Sequence, residues 1–449
     1  MKKSSSTDLT KGPILRSAIL FMLPLIGGSV FQQLYNTVDF LFVGNFLDKT
    51  AAAAVGASAT LINCTIGLFT GISVGTGVIM AQSIGAGRED TAGRTLHTSV
   101  TFGMIGGALL LVLGIAFSPQ ILRALNTPES VMPQAVTYIR IYLLSIPMVI
   151  FYNMVSGGFR AEGDSASPFK VLVICGILNV GFDALFIIVL KLGVAGAAVA
   201  TMVTQTLSAV MIGVMASRKG RRIRLSFREL GLDTILLKWV LRVGLPTGIQ
   251  TIIITISNIF VQYFINGFGD TAVAAFATYY KVENLIFLFI LAIGQTTTTF
   301  AAQNLGAGEY GRIRRGTIIT SVSGALFSGS LALIILYFGE TVFGWFMKDQ
   351  EVVQTAVSLA AVSFPFYWIY PILEGMGGAV RGMGFSLSSM IAVIANFCIL
   401  RLLLLYLVSE NIHSLSAIAA VYPVTWATAA VTFCVLFAIT LKKSKNNNL

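Results

Sequence analysis

The sequence predicts an all-α integral membrane protein, and its hydropathy, its low charge and an internal repeat all support this fold class. Charged residues make up 11% of the 449 residues and apolar residues 55%, whereas soluble domains carry about 25% charged residues. A chain this apolar lacks the polar surface that water requires. Lipid offers no partner for a free backbone group, and the apolar segments are too long for barrel strands, so we expect transmembrane helices.

One phrase occurs twice in the chain, as AQSIGAG at 81–87 and as AQNLGAG at 302–308. Six apolar segments, each long enough to cross a membrane, lie in each half, which predicts twelve transmembrane helices as two six-helix lobes. Because six is even, both halves share one orientation and form parallel repeats. We expect an N-lobe at 1–216 (helices 1–6), a basic cytoplasmic linker at 217–237 and a C-lobe at 238–449 (helices 7–12).

The net charge is +11, and the basic residues lie mostly in every second short loop, on one side of the apolar segments. By the positive-inside rule, we expect a multi-pass protein of the cytoplasmic (inner or plasma) membrane with both termini in the cytoplasm. Nucleic-acid binding would need one solvated basic face, so no nucleic-acid partner is expected. The four cysteines form no CxxC pair, and His97 and His413 are far apart, so we expect neither a metal centre nor another cofactor.

Two acids in the apolar helices of the N-half are the strongest indication of chemistry, since an intramembrane charge is costly. Asp39 lies in helix 1 and Asp183 in helix 5, where Asn179 shares its face at spacing i, i+4. Thr201 of helix 6 falls at a similar depth in the outer half of the membrane, and Ala197 lies one turn before it. Two nearby acids cannot cheaply both be ionised, so this oxygen-rich cluster should bind Na⁺ or hold a proton. The alternative is that each group only hydrogen-bonds a neighbouring helix.

The C-half carries Lys281 and Glu283 in helix 8 and Glu374 in helix 10. Lys281 and Glu283 are two residues apart and do not face each other on a helix. These groups either form structural ion pairs, for example Glu374 with Lys281, or contact a substrate, and both interpretations stay open. No His-rich metal set or nucleophile–base pair is evident, so an intramembrane enzyme is not expected.

Proline and glycine positions predict two features of helix shape in the N-half. Pro24 interrupts helix 1 fifteen residues before Asp39 and removes a backbone hydrogen bond, so a kink is expected there. The kink could respond to a cation at Asp39, or it could be static. Gly67, Gly71 and Gly75 form two overlapping GxxxG steps in helix 2, which predicts close packing against another helix.

Taken together, these features resemble the multidrug and toxic compound extrusion (MATE) family over essentially the full length. The resemblance rests on the two six-segment halves, the Gln-x-x-Gly-Ala-Gly ends of helices 2 and 8, and the runs QLYNTVD at 33–39 and LNVGFD at 178–183. It implies two six-helix lobes in a V, with a central cavity that opens alternately inward and outward. Members export bulky, often cationic, amphipathic compounds in exchange for Na⁺ or H⁺. Small drug-like molecules and membrane lipids are therefore the expected partners, with the monomer as the working unit.

The resemblance also assigns site residues. Many prokaryotic members bind the cation in the N-lobe, with carboxylates and an amide that look like Asp39, Asp183 and Asn179. Thr201 and the Ala197 carbonyl look like the further oxygen donors of that site. Pro24 resembles a helix 1 proline that bends in some members.

One departure concerns the C-lobe. A branch of the family carries a glutamate in helix 7, but the corresponding stretch 249–260 has no acid. A C-lobe cation site of that type is therefore not expected. The alternative function is a flippase for lipid-linked cell-envelope precursors, which would need a strongly cationic central cavity. The N-half acids and the scarcity of central arginines argue against it. The sequence leaves open the substrate and the choice between Na⁺ and H⁺.

Overall fold

The computed structural model describes residues 7–219, 221–412 and 414–446, and within these ranges the chain is helical without strands. His413 falls outside them. Ten helices are long and apolar enough to cross a membrane, and two bent helix pairs raise the number to twelve if each pair is one span. The all-helical membrane fold expected from composition is confirmed.

The chain divides into two compact units. One unit comprises Met1–Thr7 and Leu23–Gly248, and the other comprises Asp8–Met22 and Ile249–Leu449. The helices up to the linker are α1 Ile14–Phe46, α2 Lys49–Gly85, α3 Glu89–Ala124, α4 Met132–Leu143, α5 Ile146–Ala161, α6 Ala166–Asp183 and α7 Gly193–Ala216. The helices after the linker are α8 Thr234–Asn266, α9 Asp270–Gly306, α10 Tyr310–Tyr337, α11 Gly339–Gly344, α12 Gln350–Ser363, α13 Ile369–Gly382, α14 Ser386–Val393, α15 Arg401–Asn411 and α16 Leu415–Asn446.

Each half contains one span that is broken near a proline. Helices α4 and α5 meet at 43° just before Pro147, and a 3₁₀ turn containing Pro365 separates α12 from α13, which meet at 53°. Proline lacks a backbone N–H and its ring clashes with the preceding turn, so the helix bends at these points. Two apolar stretches that look continuous in the sequence are therefore pairs of shorter helices.

The duplicated GAG phrase forms the same helix cap in both copies. Gly87 follows α2 with φ +73° and Gly308 follows α9 with φ +74°, both in the left-handed region. The backbone N–H of Arg88 donates to the Ser83 carbonyl at 2.8 Å, and that of Glu309 donates to the Asn304 carbonyl at 2.9 Å. These bonds satisfy carbonyls that the helix end would otherwise leave free. The repeated phrase therefore forms the C-terminal cap of one helix in each half.

The glycine ladder of α2 packs against the first part of α8. A Cβ at Gly71 would overlap the backbone of Gly248, and a Cβ at Gly75 would overlap that of Val240. Only glycine allows the two backbones to approach this closely. The close packing predicted from the GxxxG steps is confirmed for Gly71 and Gly75.

Two basic residues of the linker pair with acids of the first unit. Arg221 pairs with Glu162 at the end of α5 at 2.6 Å, and Arg222 pairs with Glu89 at the start of α3 at 2.6 Å. The ring of His97 in α3 accepts a hydrogen bond from the Ser226 backbone N–H at 2.9 Å. The linker is therefore a packed segment in which these charges already have partners.

The linker ends in a capped helix start. Asp233 precedes α8, and its Oδ1 accepts hydrogen bonds from the backbone N–H groups of Ile235 and Leu236 at 3.0 and 3.1 Å. Its carboxylate also pairs with Arg94 of α3. The backbone bonds, with the adjacent guanidinium, lower the pKa of Asp233 below its usual value. An ionised carboxylate thus holds the beginning of α8.

The second unit has one large apolar core built mainly from α9, α12, α13 and α16. Its largest fully buried side chains are aromatic and include Tyr279, Phe364, Tyr367 and Trp426. The rings meet at steep angles, such as 70° between Tyr367 and Trp426 at 4.8 Å between centroids. Such edge-to-face contacts add to the stabilisation from burial.

We expect Gly87→Ala and Gly93→Ala to change stability in opposite directions. A Cβ would meet open space at both positions, so only backbone conformation differs. Alanine at the left-handed Gly87 should cost roughly 1 kcal/mol. Alanine at Gly93, inside α3, should gain roughly 0.5–1 kcal/mol. Thermal unfolding of the purified variants measures both, and a Gly87→Ala protein as stable as the wild type would contradict the capping role.

Candidate functional site

The first unit brings the predicted acids together. Asp183 is the last residue of α6 and Asn179 lies one turn before it, and both side chains are fully buried. Asp39 of α1 is half-buried, and its carboxyl group lies within hydrogen-bonding reach of that of Asp183. Two carboxyl groups and an amide from two helices therefore converge on one point.

The oxygens of this cluster lack donors. Among the described residues, no hydrogen bond reaches Asp39 Oδ1, either oxygen of Asp183, or Asn179 Oδ1, although all four atoms are buried. A buried polar atom without a partner is costly, and a buried unpaired carboxylate is more so. A proton shared by the pair or a bound Na⁺ would remove this cost, so the donor set fits either ion.

The amide and the hydroxyl are oriented by neighbouring groups in α7. Asn179 Nδ2 donates to Thr204 Oγ1 at 3.4 Å, which leaves Oδ1 facing away from that bond. Thr201 Oγ1 donates to the Ala197 carbonyl at 3.1 Å, so the predicted i, i+4 pair is in contact. The Thr201 oxygen keeps acceptor capacity for a cation. Cation binding at these residues stays a prediction.

Three tyrosines and one threonine near the acids were not predicted from the sequence. Tyr35 lies one turn before Asp39 and hydrogen-bonds Thr201, while Tyr138 and Tyr142 of α4 lie within electrostatic range of Asp39. The α4 rings are nearly buried and stack with centroids 6.2 Å apart. Tyr35 could have been predicted, because it lies four residues before Asp39 within QLYNTVD and so shares its helix face. Thr204 is one of three threonines in α7, and its position in the sequence does not distinguish it from the others.

The helix geometry changes immediately after Asp183. Residues Ala184–Val189 form a π-helix, and the Leu190 backbone N–H donates to the Leu185 carbonyl at 2.8 Å, five residues earlier. π-helical turns are rare and often occur at functional sites. Pro24 lies inside α1, which is helical on both sides of it, fifteen residues before Asp39. The conformational role predicted for Pro24 stays a prediction.

The acids of the second unit do not form the ion pair that the sequence suggested as an example. Glu374 pairs with Arg381, seven residues later in α13, rather than with Lys281, which is exposed. Glu283 is buried and accepts a hydrogen bond from the Tyr367 hydroxyl. Within the described part of the chain, no group of three or more His, Cys, Asp or Glu residues could hold a metal ion.

Comparisons with known proteins agree with the duplicated architecture. The MatE family profile matches residues 24–185 and again 246–407. The probable multidrug resistance protein YoeA of Bacillus subtilis is 29% identical, with 84% of this chain and 82% of the relative covered. The FAD transporter of Shewanella oneidensis is 24% identical, with 93% of each covered, and the multidrug export protein MepA of Staphylococcus aureus is 22% identical, with 85% and 84% covered.

Solved structures share the fold. The outward-facing conformation of a multidrug resistance MATE family transporter superposes with a TM-score of 0.92 at 22% identity, covering 99% of this chain and 100% of the other. A MATE crystal structure in a bent conformation gives the same TM-score, 0.92, with 22% identity and 99% of each chain covered. The two profile matches cover more than half of the sequence. The chain therefore belongs to the MATE family, whose members are multi-pass membrane transporters and not enzymes.

Proposed function

We propose that the protein is a multidrug efflux antiporter of the cytoplasmic membrane that exchanges organic compounds for Na⁺ or H⁺. The observation that carries the proposal is the set of four buried oxygens without donors on Asp39, Asn179 and Asp183. Such a cluster is stable only when a cation or a proton occupies it. The multidrug-resistance names of YoeA and MepA support export of drug-like compounds.

Coupling follows from the charge state of the carboxyl pair. An ion entering from outside reduces the negative charge of the Asp39–Asp183 pair by one and stabilises whichever helix arrangement brings their oxygens together. Such an ion can shift the protein between conformations only by binding one of them more tightly. The membrane potential contributes about 2.3 kcal/mol per charge for each 100 mV. Pro24, in the same helix as Asp39, is the position where α1 has lost a backbone hydrogen bond and can bend.

The substrate range is proposed to be organic, amphipathic and often cationic. The relatives named above carry multidrug-resistance, multidrug-export and FAD-transport names, which support organic cargo. None of these names supports the flippase alternative. The buried acids Asp39 and Asp183 also favour cation exchange.

We expect Asp39→Asn and Asp183→Asn to abolish ion-coupled efflux. Each substitution keeps the shape of the side chain but removes one of the two carboxylates that the ion must neutralise. Accumulation of the cationic dye ethidium in cells expressing each variant should rise to the level of cells without the transporter. Asp90→Asn, which removes an exposed acid at the start of α3, is the control and should export like the wild type. Wild-type export by either site variant would overturn the coupling assignment.

We also expect Asp183→Asn to make the protein more stable when no ion is available. In alkaline sodium-free buffer the wild type must bury two repelling carboxylates, so their replacement should raise stability by about 1–3 kcal/mol. Asp90→Asn should change it little or lower it slightly. The midpoint of thermal unfolding measures the difference. An Asp183→Asn protein that melts below the wild type would show that the carboxylate is a structural partner instead.

A further inference from the structure

The second unit encloses a cavity that differs in character from the acid cluster of the first unit. Its volume is about 230 Å³. Six aromatic side chains from α9, α13, α16 and the π-helix before α15 form most of its wall: Tyr280, Phe287, Tyr370, Phe397, Tyr422 and Trp426. The Tyr370 and Trp426 rings meet edge-to-face, at 71° with centroids 5.5 Å apart. Such a wall suits a planar aromatic ligand.

Arg401, the first residue of α15, lines the same cavity and is only 2% exposed. Its Nη1 lies 3.5 Å from Asn258 Oδ1 and its Nη2 lies 3.3 Å from Thr425 Oγ1. Its Nε is buried and has no hydrogen-bond partner among the described residues. A guanidinium has five N–H donors, so this one is held by two long bonds to neutral groups and keeps unused donors.

No carboxylate neutralises Arg401 within 4 Å in the described part of the chain. The nearby acid of the cavity, Glu283, accepts the Tyr367 hydroxyl through Oε1. Arg381, the other buried arginine of this unit's helices, shows the usual arrangement, since it forms an ion pair with Glu374. Glu283 lies within electrostatic range of Arg401 but forms no ion pair with it, and a buried charge with unpaired donors is costly in a membrane protein and indicates a functional site.

The internal repeat supports a difference in ligand charge between the two units. In the first, Asn179 donates to Thr204 at 3.4 Å, and Asp183 follows four residues later, beside a π-helix. In the second, Asn396 donates to Thr432 at 3.3 Å, and a π-helix that contains this asparagine ends directly before the arginine at position 401. The asparagine–threonine bond and the π-helix thus occur in both units, but the adjacent charge changes from negative to positive.

We propose that this cavity binds an aromatic organic anion, with its acidic group on Arg401 and its ring against the aromatic wall. The guanidinium lies 4.6 Å from the Phe397 ring centroid and 4.9 Å from that of Tyr422. These contacts fix its plane and leave the free Nε–H able to pair with a carboxylate or sulfonate. The inference rests on the proposed function, because it names a substrate class for an efflux antiporter.

Equilibrium dialysis of the full-length protein in lipid nanodiscs tests the proposal, with empty nanodiscs subtracted. Three naphthalene probes of similar size differ in charge: 2-naphthoate, 2-naphthylmethanol and 2-naphthylmethylammonium. The wild type should bind the anion most tightly. Arg401→Gln should weaken naphthoate binding by about tenfold or more, the loss expected when a charge-assisted pair is removed. Arg401→Lys should retain part of the affinity, and naphthylmethanol binding should change little in either variant.

Two further variants test whether the anion binds through the charge at Arg401. Arg140→Gln removes an exposed arginine from α4 of the first unit and should bind all three probes like the wild type. Glu283→Gln removes the acidic charge from the cavity and should leave naphthoate binding unchanged or tighter. Tightest binding of the cation by the wild type, or loss of naphthoate binding in Glu283→Gln, would overturn the proposal.

Melting temperature and relative affinity together distinguish a purely structural role for Arg401 from a role in binding. If the guanidinium only braces Phe397 and Tyr422, Arg401→Gln should lower the melting temperature and leave naphthoate affinity relative to naphthylmethanol unchanged, which would overturn the proposal. If Arg401→Gln does not fold, Arg401→Lys and the ranking of the three probes on the wild type decide the question. Asp183→Asn keeps this cavity intact, so its naphthoate binding should equal that of the wild type. If the wild-type protein binds naphthoate but shows no efflux, the proposed function fails and this inference stands.

Discussion

Burying a charge in an apolar helix bundle is costly, and this cost determines which charged side chains the protein can keep inside its helices. Buried charges such as those of Glu374 and Arg381 are paired with each other. Asp39 and Asp183 differ, because each leaves buried oxygens without a donor among the described residues. Since a protein does not keep such a cost without compensation, we propose that the missing partner is a bound cation or proton.

Duplication of one unit explains why the scaffold is so regular. The GAG caps after α2 and α9, the broken spans near Pro147 and Pro365, and the π-helices in the fifth and eleventh spans all occur once in each half. These features depend on backbone geometry, which both copies need in order to fold. The acids Asp39 and Asp183 have no acidic counterparts at the offset of 221 residues, whereas Arg160 recurs as Arg381. We propose that shared geometry with diverged charge gives the two units separate binding sites.

Much of the fold could be predicted from the sequence because its causes are local. The length of each apolar segment predicts whether it spans the membrane. The glycines of the GAG phrase and of the α2 ladder have their effect through backbone conformation and close backbone approach. Asp39, Asn179 and Asp183 could be predicted because an acid or amide in an apolar run is conspicuous. The tyrosines around Asp39 could not, since aromatic residues are ordinary in membrane helices.

Side-chain contacts that arise only from tertiary packing could not be predicted from the sequence either. Arg401 lies near the end of an apolar segment, and the sequence does not distinguish it from an arginine at the membrane surface. Only the packing of α15 against α8 and α16 shows that its guanidinium is buried beside aromatic rings. The ion pair of Glu374 was missed for a different reason, since its partner Arg381 lies seven residues later in the same helix and competes with Lys281 as a candidate.

The carboxyl pair of the first unit is proposed to bind the coupling ion. Direct binding of radioactive ²²Na⁺ to the purified protein, together with proton uptake recorded by a pH indicator as Na⁺ is removed, tests this proposal without any transport. We predict that the wild type binds one of these ions and that the Asp39→Asn/Asp183→Asn double variant binds neither at that site. Undiminished Na⁺ binding and proton uptake in the double variant would contradict it.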